Sequence, residues 1–249
     1  LVRPLLAAGK QSEAISVLNQ QLGNEKNELF AKFLLGGIYG GSGDQGQAEK
    51  YLEDVIKDKP DSVVAWASLA GVYKDRDQRI AVYQRALKAN PGNVELNMLL
   101  ATEFEQASRF DDAMKIYEQV VKDAPAYEPG INNLAALLLD RRTDKASHAR
   151  ALELARKLAN TDNPAMLDTL GWAHYRAGQY AEAVSVLERV VAKAGQFPIF
   201  RYHLGMAYMG AGNPVGARQE LRQAVDKAEG DYPGLAEARA TLEKLDKAS

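Results

Sequence analysis

Apolar and small residues recur along this 249-residue chain in two staggered columns. The first is a leucine column: Leu1, Leu35, Leu69, Leu100, Leu134, Leu170 and Leu204, at intervals of 34, 34, 31, 34, 36 and 34 residues. From Leu35 onward the next residue is always small: Gly36, Ala70, Ala101, Ala135, Gly171 and Gly205. Four residues after each leucine comes Leu5, Tyr39, Tyr73, Phe104, Leu138, His174 or Tyr208. The second column starts thirteen residues after the leucine, with Ala14, Ala48, Ala113, Ala183 and Ala217. Large apolar residues follow it four positions on, at Leu18, Leu52, Tyr117, Leu187 and Leu221. Steps of one, three and four keep residues on one helix face, so each repeat predicts two amphipathic helices, A then B. The small residues let A and B approach closely, and larger ones there would overpack the contact by ~1–3 kcal/mol. Pro60, Pro91 and Pro125 fall where helix B must stop, because proline lacks the N–H and clashes with a continuing helix. No repeat buries its apolar face alone, so neighbours must stack.

These columns divide the chain into six full repeats at 29–62, 63–93, 94–127, 128–163, 164–197 and 198–231. Residues 1–28 read as the end of a helix A plus a helix B, and 232–249 as a capping helix. In the cap, Leu235, Ala238, Leu242 and Leu245 form the apolar stripe, and Glu237, Arg239, Glu243 and Lys244 face water. Repeat 63–93 is three residues short, which puts Arg79 in the alanine column and predicts an unusually tight turn around 74–77. Repeat 128–163 is too long by two residues. The surplus is expected in the turn near Arg141 and Arg142, making it the most protease-sensitive interior point. Gly40, Gly41, Ser42 and Gly43 read as a helix stop. The chain opens inside a helix, without an initiator Met or a signal sequence, and so reads as a piece of a longer protein.

The stretches WASLAGVY at 66–73 and FLLGGIY at 33–39, with the alanine column and closing prolines, resemble the tetratricopeptide repeat family. The resemblance covers nearly the whole chain. It implies an all-α, right-handed superhelical solenoid of helix-turn-helix repeats with a C-terminal capping helix. It also implies that the face of helix A opposite helix B lines a concave groove where peptides bind.

Composition narrows the partner. The formal net charge is -2, from 31 basic and 33 acidic residues, without the basic excess that nucleic-acid binding draws on. No apolar run is long enough to span a membrane, so direct membrane insertion of this segment is not expected. The absence of cysteine excludes disulfides, thiolate metal sites and a cysteine nucleophile. His148, His174 and His203 lack the close helical spacing of a metal site, and His174 reads as a packed substitute for tyrosine. The glycine pairs lie in or after a helix and form no phosphate loop, and no catalytic set stands out. The expectation is a non-catalytic protein without metal or cofactor.

The groove positions fall into three zones when each repeat is numbered with its leucine as position seven. Positions four, seven, eight and eleven face helix B; two, five, nine and twelve lie opposite, flanked by six and thirteen. The first repeats offer little there: Phe33, Gly37, Gly40, Ala67, Gly71 and Lys74. The middle offers Met98, Thr102, Glu105, Asn132, Asn133 and Ala136. The last zone is rich in aromatic and methionine side chains: Asp168, Thr169, Trp172, Tyr175, Arg176, Tyr202, His203, Met206 and Met209. Aromatic and arginine anchors dominate many protein interfaces, which marks this zone, with Asn132 and Asn133, as the candidate peptide-binding groove. The same residues equally suit packing against an adjacent repeat or another surface of the parent protein.

Chaperone-binding members of the family hold a C-terminal acidic motif with groove lysines, arginine and asparagines. The matching positions here include Phe33, Gly37, Ser68, Glu95 and Leu99, so that clamp is missing. The stretches NNLA at 132–135, PAMLDTLGW at 164–172 and FRYHLG at 200–205 resemble bacterial envelope repeat proteins, among them lipoproteins linked to exopolysaccharide production and export. That resemblance implies a periplasmic or envelope-associated docking module of a larger assembly. The alternative is a cytoplasmic adaptor or co-chaperone lacking the clamp.

Overall fold

The computed structural model describes residues 2–247; Leu1 of the leucine column and the last two residues of segment 232–249 lie outside the described residues. The described residues form fifteen α-helices and no strand. The chain divides into two compact units, Leu1–Ala124 and Pro125–Ser249.

Unit 1 holds α1 (Val2–Ala7), α2 (Gln11–Asn19), α3 (Glu28–Ser42), α4 (Gln45–Asp58), α5 (Val63–Val72), α6 (Arg76–Ala89), α7 (Val94–Gln106) and α8 (Phe110–Asp123). Each helix packs on the next, and α5 also touches α3 and α7. The local code is that of the sequence. Asp44, Ser62, Asp75 and Asn93 cap α4, α5, α6 and α7 by accepting from backbone N–H groups of the first turn. Helices α4, α6 and α8 stop two residues before Pro60, Pro91 and Pro125. Gly43 closes α3 in the left-handed conformation at φ +82°.

The short repeat departs from the sequence-based expectation. Three residues separate α5 from α6, the same number that separate α7 from α8. The deficit lies in α5 itself, which has 10 residues against 15 in α3 and 13 in α7. Arg79 explains how α6 tolerates a large residue in the alanine column. Its side chain turns away from the A–B contact, donates to the Tyr73 and Lys74 carbonyls at 3.3 and 2.9 Å, and pairs with Glu103 of α7 at 3.0 Å. It thereby satisfies carbonyls that the early end of α5 leaves over.

Unit 2 holds α9 (Glu128–Arg141), α10 (Lys145–Ala155, continued by a 3₁₀ turn at Arg156–Leu158), α11 (Pro164–Arg176), α12 (Tyr180–Ala194), α13 (Pro198–Gly210), α14 (Pro214–Asp226) and α15 (Leu235–Lys247). Pro164, Pro198 and Pro214 begin their helices, where a missing N–H costs nothing. Here too the surplus residues are not in the turn. Residues 142–144 are as few as those between α11 and α12; the extra length is one residue in α9 and a longer connection at 159–163. The turn is also tied down. Buried His148 sets Nε2 2.9 Å from the Arg142 carbonyl, and Asp144 caps α10.

The small residues of helix A do what their spacing requires. A Cβ added at Gly171 would stand 2.5 Å from Leu187 Cγ, at Gly205 2.7 Å from Leu221 Cγ, and at Gly36 2.6 Å from Leu52 Cγ. In α15, Leu235, Ala238, Leu242 and Leu245 are the buried residues. Helices α9, α11, α13 and α15 touch in series, as well as each packing on its neighbours in the chain. They form one continuous wall, and the candidate site lies on it.

Candidate functional site

Helix α11 is buried on more sides than an amphipathic pattern implies. Leu167, Leu170 and Gly171 face α12, but Asp168, Thr169 and Trp172 are buried as well, because α9 and α13 flank α11 on either side. The same holds for Tyr202, His203 and Met206 on α13. Sequence spacing correctly turned these residues away from helix B, yet it did not count the burial that adjacent A helices supply.

What remains open is a cavity of about 670 Å³ within unit 2. Asp140 and Arg141 of α9 line it, with Asp168, Thr169, Trp172 and Arg176 of α11, Tyr202 and His203 of α13, Tyr232 and Gly234 of the following connection, and Glu237 of α15. Six of the sequence-identified residues therefore meet in one place: Asp168, Thr169, Trp172, Arg176, Tyr202 and His203. Five do not line it. Tyr175 stacks on Trp172 from the same helix, Met206 is buried, Met209 is exposed, and Asn132 and Asn133 lie further back on α9.

The interior is a coupled polar-aromatic cluster. His203 Nδ1 lies 2.8 and 2.9 Å from the two carboxylate oxygens of Asp168, with both side chains buried. Trp172 stacks on His203 at 4.2 Å and on Tyr175 at 4.6 Å between centroids. Arg176 stands over the indole at 5.8 Å and sets a guanidinium nitrogen 3.0 Å from His148 Nε2. Thr169 donates to the Ala165 carbonyl at 3.2 Å, which satisfies its hydroxyl within its own helix. Tyr202 donates to Glu237 at 2.7 Å. Burial first, and then this bond to a carboxylate, push the Tyr202 phenol well above its ordinary range, so it stays a protonated donor.

Asp140 is set apart from this satisfied interior. Its side chain is exposed at the rim, yet the concave wall around it removes enough water to raise its carboxyl above the usual range. His203, Arg141 and Arg176 pull the other way, and Asp168 adds to the rise.

The contributors missed from sequence include Asp140, Arg141, Tyr232, Gly234 and Glu237. Asp140 occupies position thirteen of its repeat, a flanking position that the periodicity does flag. Glu237 is exposed, as a water-facing cap residue should be, but its carboxylate reaches back to Tyr202. Gly234 has φ +97°, and a Cβ there would collide with the Tyr202 ring, so only glycine lets the connection close over the cavity. No spacing rule marks that role. Among the described residues no cluster of His, Asp or Glu is arranged to hold a metal ion, and no helix is long and apolar enough to cross a membrane.

Comparison with known proteins places this geometry in a wider set. Three family models, each described as a tetratricopeptide repeat, match residues 31–62, 73–138 and 169–232. A TPR repeat-containing protein of Pseudomonas aeruginosa is 29% identical over 153 residues, covering 59% of this chain and 25% of the relative. Among solved structures, a chain of the APC/C hetero-tetramer Cut9-Hcn1 aligns with a TM-score of 0.62 at 14% identity, over 98% of this chain and 48% of that one. YrrB, described as a TPR protein with an unusual peptide-binding site, aligns with a TM-score of 0.58 at 15% identity, over 76% of this chain and 97% of its own. This chain thus spans about a quarter of the bacterial relative and about half of the first of these structures.

Proposed function

Since this chain belongs to the tetratricopeptide repeat family, we propose that it is a non-catalytic scaffold that docks a protein or peptide, with the cavity of unit 2 as its main receiving surface. One observation carries the reading. Aromatic side chains fixed by burial form the inner wall of an open cavity, and charged groups stand at its rim. Rigid aromatic surface beside accessible charge is what interface hot spots are made of. Ordered walls also reduce the entropy lost on binding. The fold supports protein interaction in general, and YrrB, similar in fold alone, is described as having a peptide-binding site.

The test is site-directed photo-crosslinking in the native host. A benzophenone amino acid replaces Ala236, exposed on the cavity wall, or Ala146, exposed and away from it. A discrete adduct from position 236 and none from position 146 is the expected result. Equal labelling from both positions, or from 146 alone, would place docking elsewhere.

For the setting, the envelope-like stretches at 132–135, 164–172 and 200–205 favour a docking part of a bacterial envelope assembly, with an exopolysaccharide-related parent as the specific form. Fractionation of the full-length parent tests this. Recovery with the cytosol would favour the adaptor alternative.

A further inference from the structure

The charges around the unit 2 cavity are unbalanced. Four carboxylates line it, Asp140, Asp168, Asp231 and Glu237, against the guanidiniums of Arg141 and Arg176. Inside, Asp168 is occupied by His203, and Arg176 is drawn toward Trp172 and His148. At the rim Asp140, Asp231 and Glu237 are exposed, and the Asp140 carboxylate makes no ion pair or hydrogen bond among the described residues. The site therefore offers acceptors and negative charge around an aromatic interior.

We infer that this cavity selects a peptide bearing an arginine or lysine, whose apolar stem lies along Tyr202 and Trp172 and whose charged head meets Asp140 at the rim. The inference rests on the docking role proposed above and adds to it the chemistry of the ligand. Long basic side chains lay their methylene stems along aromatic surface while keeping the head near water, which suits a pocket with a polar-aromatic interior and a charged mouth. A charge pair in a concave, partly dehydrated mouth also gains more than one on an open surface.

The experiment uses the whole chain and its two tryptophans, Trp66 in unit 1 and Trp172 at the cavity. Their two indole N–H signals in a nitrogen-15 correlation spectrum report the two units separately. The probes are three acetylated, amidated pentapeptides, identical except for a central arginine, norleucine or glutamate between leucines. The arginine peptide should move the Trp172 signal and leave Trp66 in place. It should bind roughly tenfold more tightly than the norleucine peptide, and the glutamate peptide should bind most weakly. The preference should shrink from about 0.1 M to about 1 M salt, as the Debye length falls from about 10 to about 3 Å. Asp140→Asn should remove most of the arginine preference without changing norleucine binding.

Equal or tighter binding of the norleucine or glutamate peptide overturns the basic-ligand inference and leaves peptide docking standing. An unchanged preference in Asp140→Asn does the same. If no peptide moves the Trp172 signal, or only Trp66 responds, the docking role of the cavity falls together with its chemistry.

Discussion

Units 1 and 2 share one packing code but use the other face of helix A in opposite ways. In both, a small residue after the column leucine lies against a large residue of helix B: Gly36 on Leu52, Gly171 on Leu187. In the first two full repeats of unit 1 the outward positions beside it are mostly small, and a Cβ at Gly37, Gly41 or Gly71 would meet nothing within 4 Å. Unit 1 instead leaves apolar side chains open, with Phe30 66% and Val64 62% exposed around a shallow hollow. In unit 2 the outward positions carry Asp168, Trp172, Tyr202 and His203, all buried in a hydrogen-bonded and stacked wall. The A–B contact leaves little freedom because it makes the fold. The outward face is free to vary, and there the two units diverge into a sparse surface and an organised cavity.

The largest expected effect tests whether that wall is part of the core. Trp172→Ala should cost about 3–5 kcal/mol, the range for truncating a buried large aromatic, while Phe30→Ala in unit 1 should stay within about 0.5 kcal/mol. Urea unfolding followed by the helical circular-dichroism signal measures both. A mild effect at Trp172 would mean the wall is only loosely held and the contrast between the units is superficial. A corollary is that truncating Trp172 or Tyr202 is a poor probe of binding, since any loss of affinity would be mixed with loss of folding. Rim residues such as Asp140 are cleaner.

The shared code is tested by paired glycine substitutions. Gly171→Leu should destabilise by ~1–3 kcal/mol through collision with Leu187. Gly37→Leu, one position past the equivalent contact, should be neutral or stabilising by up to about 0.8 kcal/mol, because leucine is the better helix former and the space is open. If the two changes cost the same in chemical denaturation, the assignment of inward and outward positions is wrong.

That assignment was legible in the sequence because the A–B contact is local. Leucine, small residue and helix-B partner recur at fixed spacing, and helical periodicity turns spacing into a face. The same rule brought Asp168, Trp172, Tyr202 and His203 to one side. Their burial was not legible, because it depends on contacts between A helices a whole repeat apart. Nor was the placement of the irregular lengths. A missing or extra residue is visible as a count, but whether it falls in a turn or shortens α5 depends on side chains such as Arg79 that can terminate a helix. Gly234 escaped because a connection folding back over a cavity has no period, and Glu237 because its water-facing place on α15 gives no sign that its carboxylate reaches Tyr202.

A smaller effect concerns the A–B turns. Gly178 in unit 2 and Ser108 in unit 1 both adopt the left-handed conformation, at φ +76° and +58°. Glycine does so freely, whereas a residue with a Cβ pays about 1 kcal/mol. Ser108→Gly should therefore stabilise unit 1 by up to about 1 kcal/mol, and Gly178→Ser should destabilise unit 2 by a similar amount. Opposite signs in thermal unfolding confirm that the turns are equivalent; equal signs would mean that Ser108 gains something from its hydroxyl that its backbone geometry does not show.

The smallest effect separates binding from folding at the cavity mouth. Dehydration by the concave wall raises the Asp140 carboxyl, with Asp168 adding to the rise and His203, Arg141 and Arg176 opposing it. An acid whose pKa is higher in the folded state favours folding when protonated. Its contribution is fully present below the unfolded pKa of about 3.9 and is lost as pH rises through the higher folded value. At neutral pH the charged form is therefore a slight burden, and Asp140→Asn should be slightly more stable than the parent. Because the carboxylate also touches water, screening holds that gain to roughly 0.5 kcal/mol or less. The advantage should disappear as pH falls below the folded value. Denaturation of both proteins at neutral and acid pH measures it, and an Asn variant that is less stable at neutral pH would show that Asp140 is paired and settled like the interior groups. A carboxylate that slightly burdens the fold while controlling the preference for a basic peptide is what a binding position requires, and unit 1, with open glycines on the equivalent face, has no such feature among Gly37, Gly41 and Gly71.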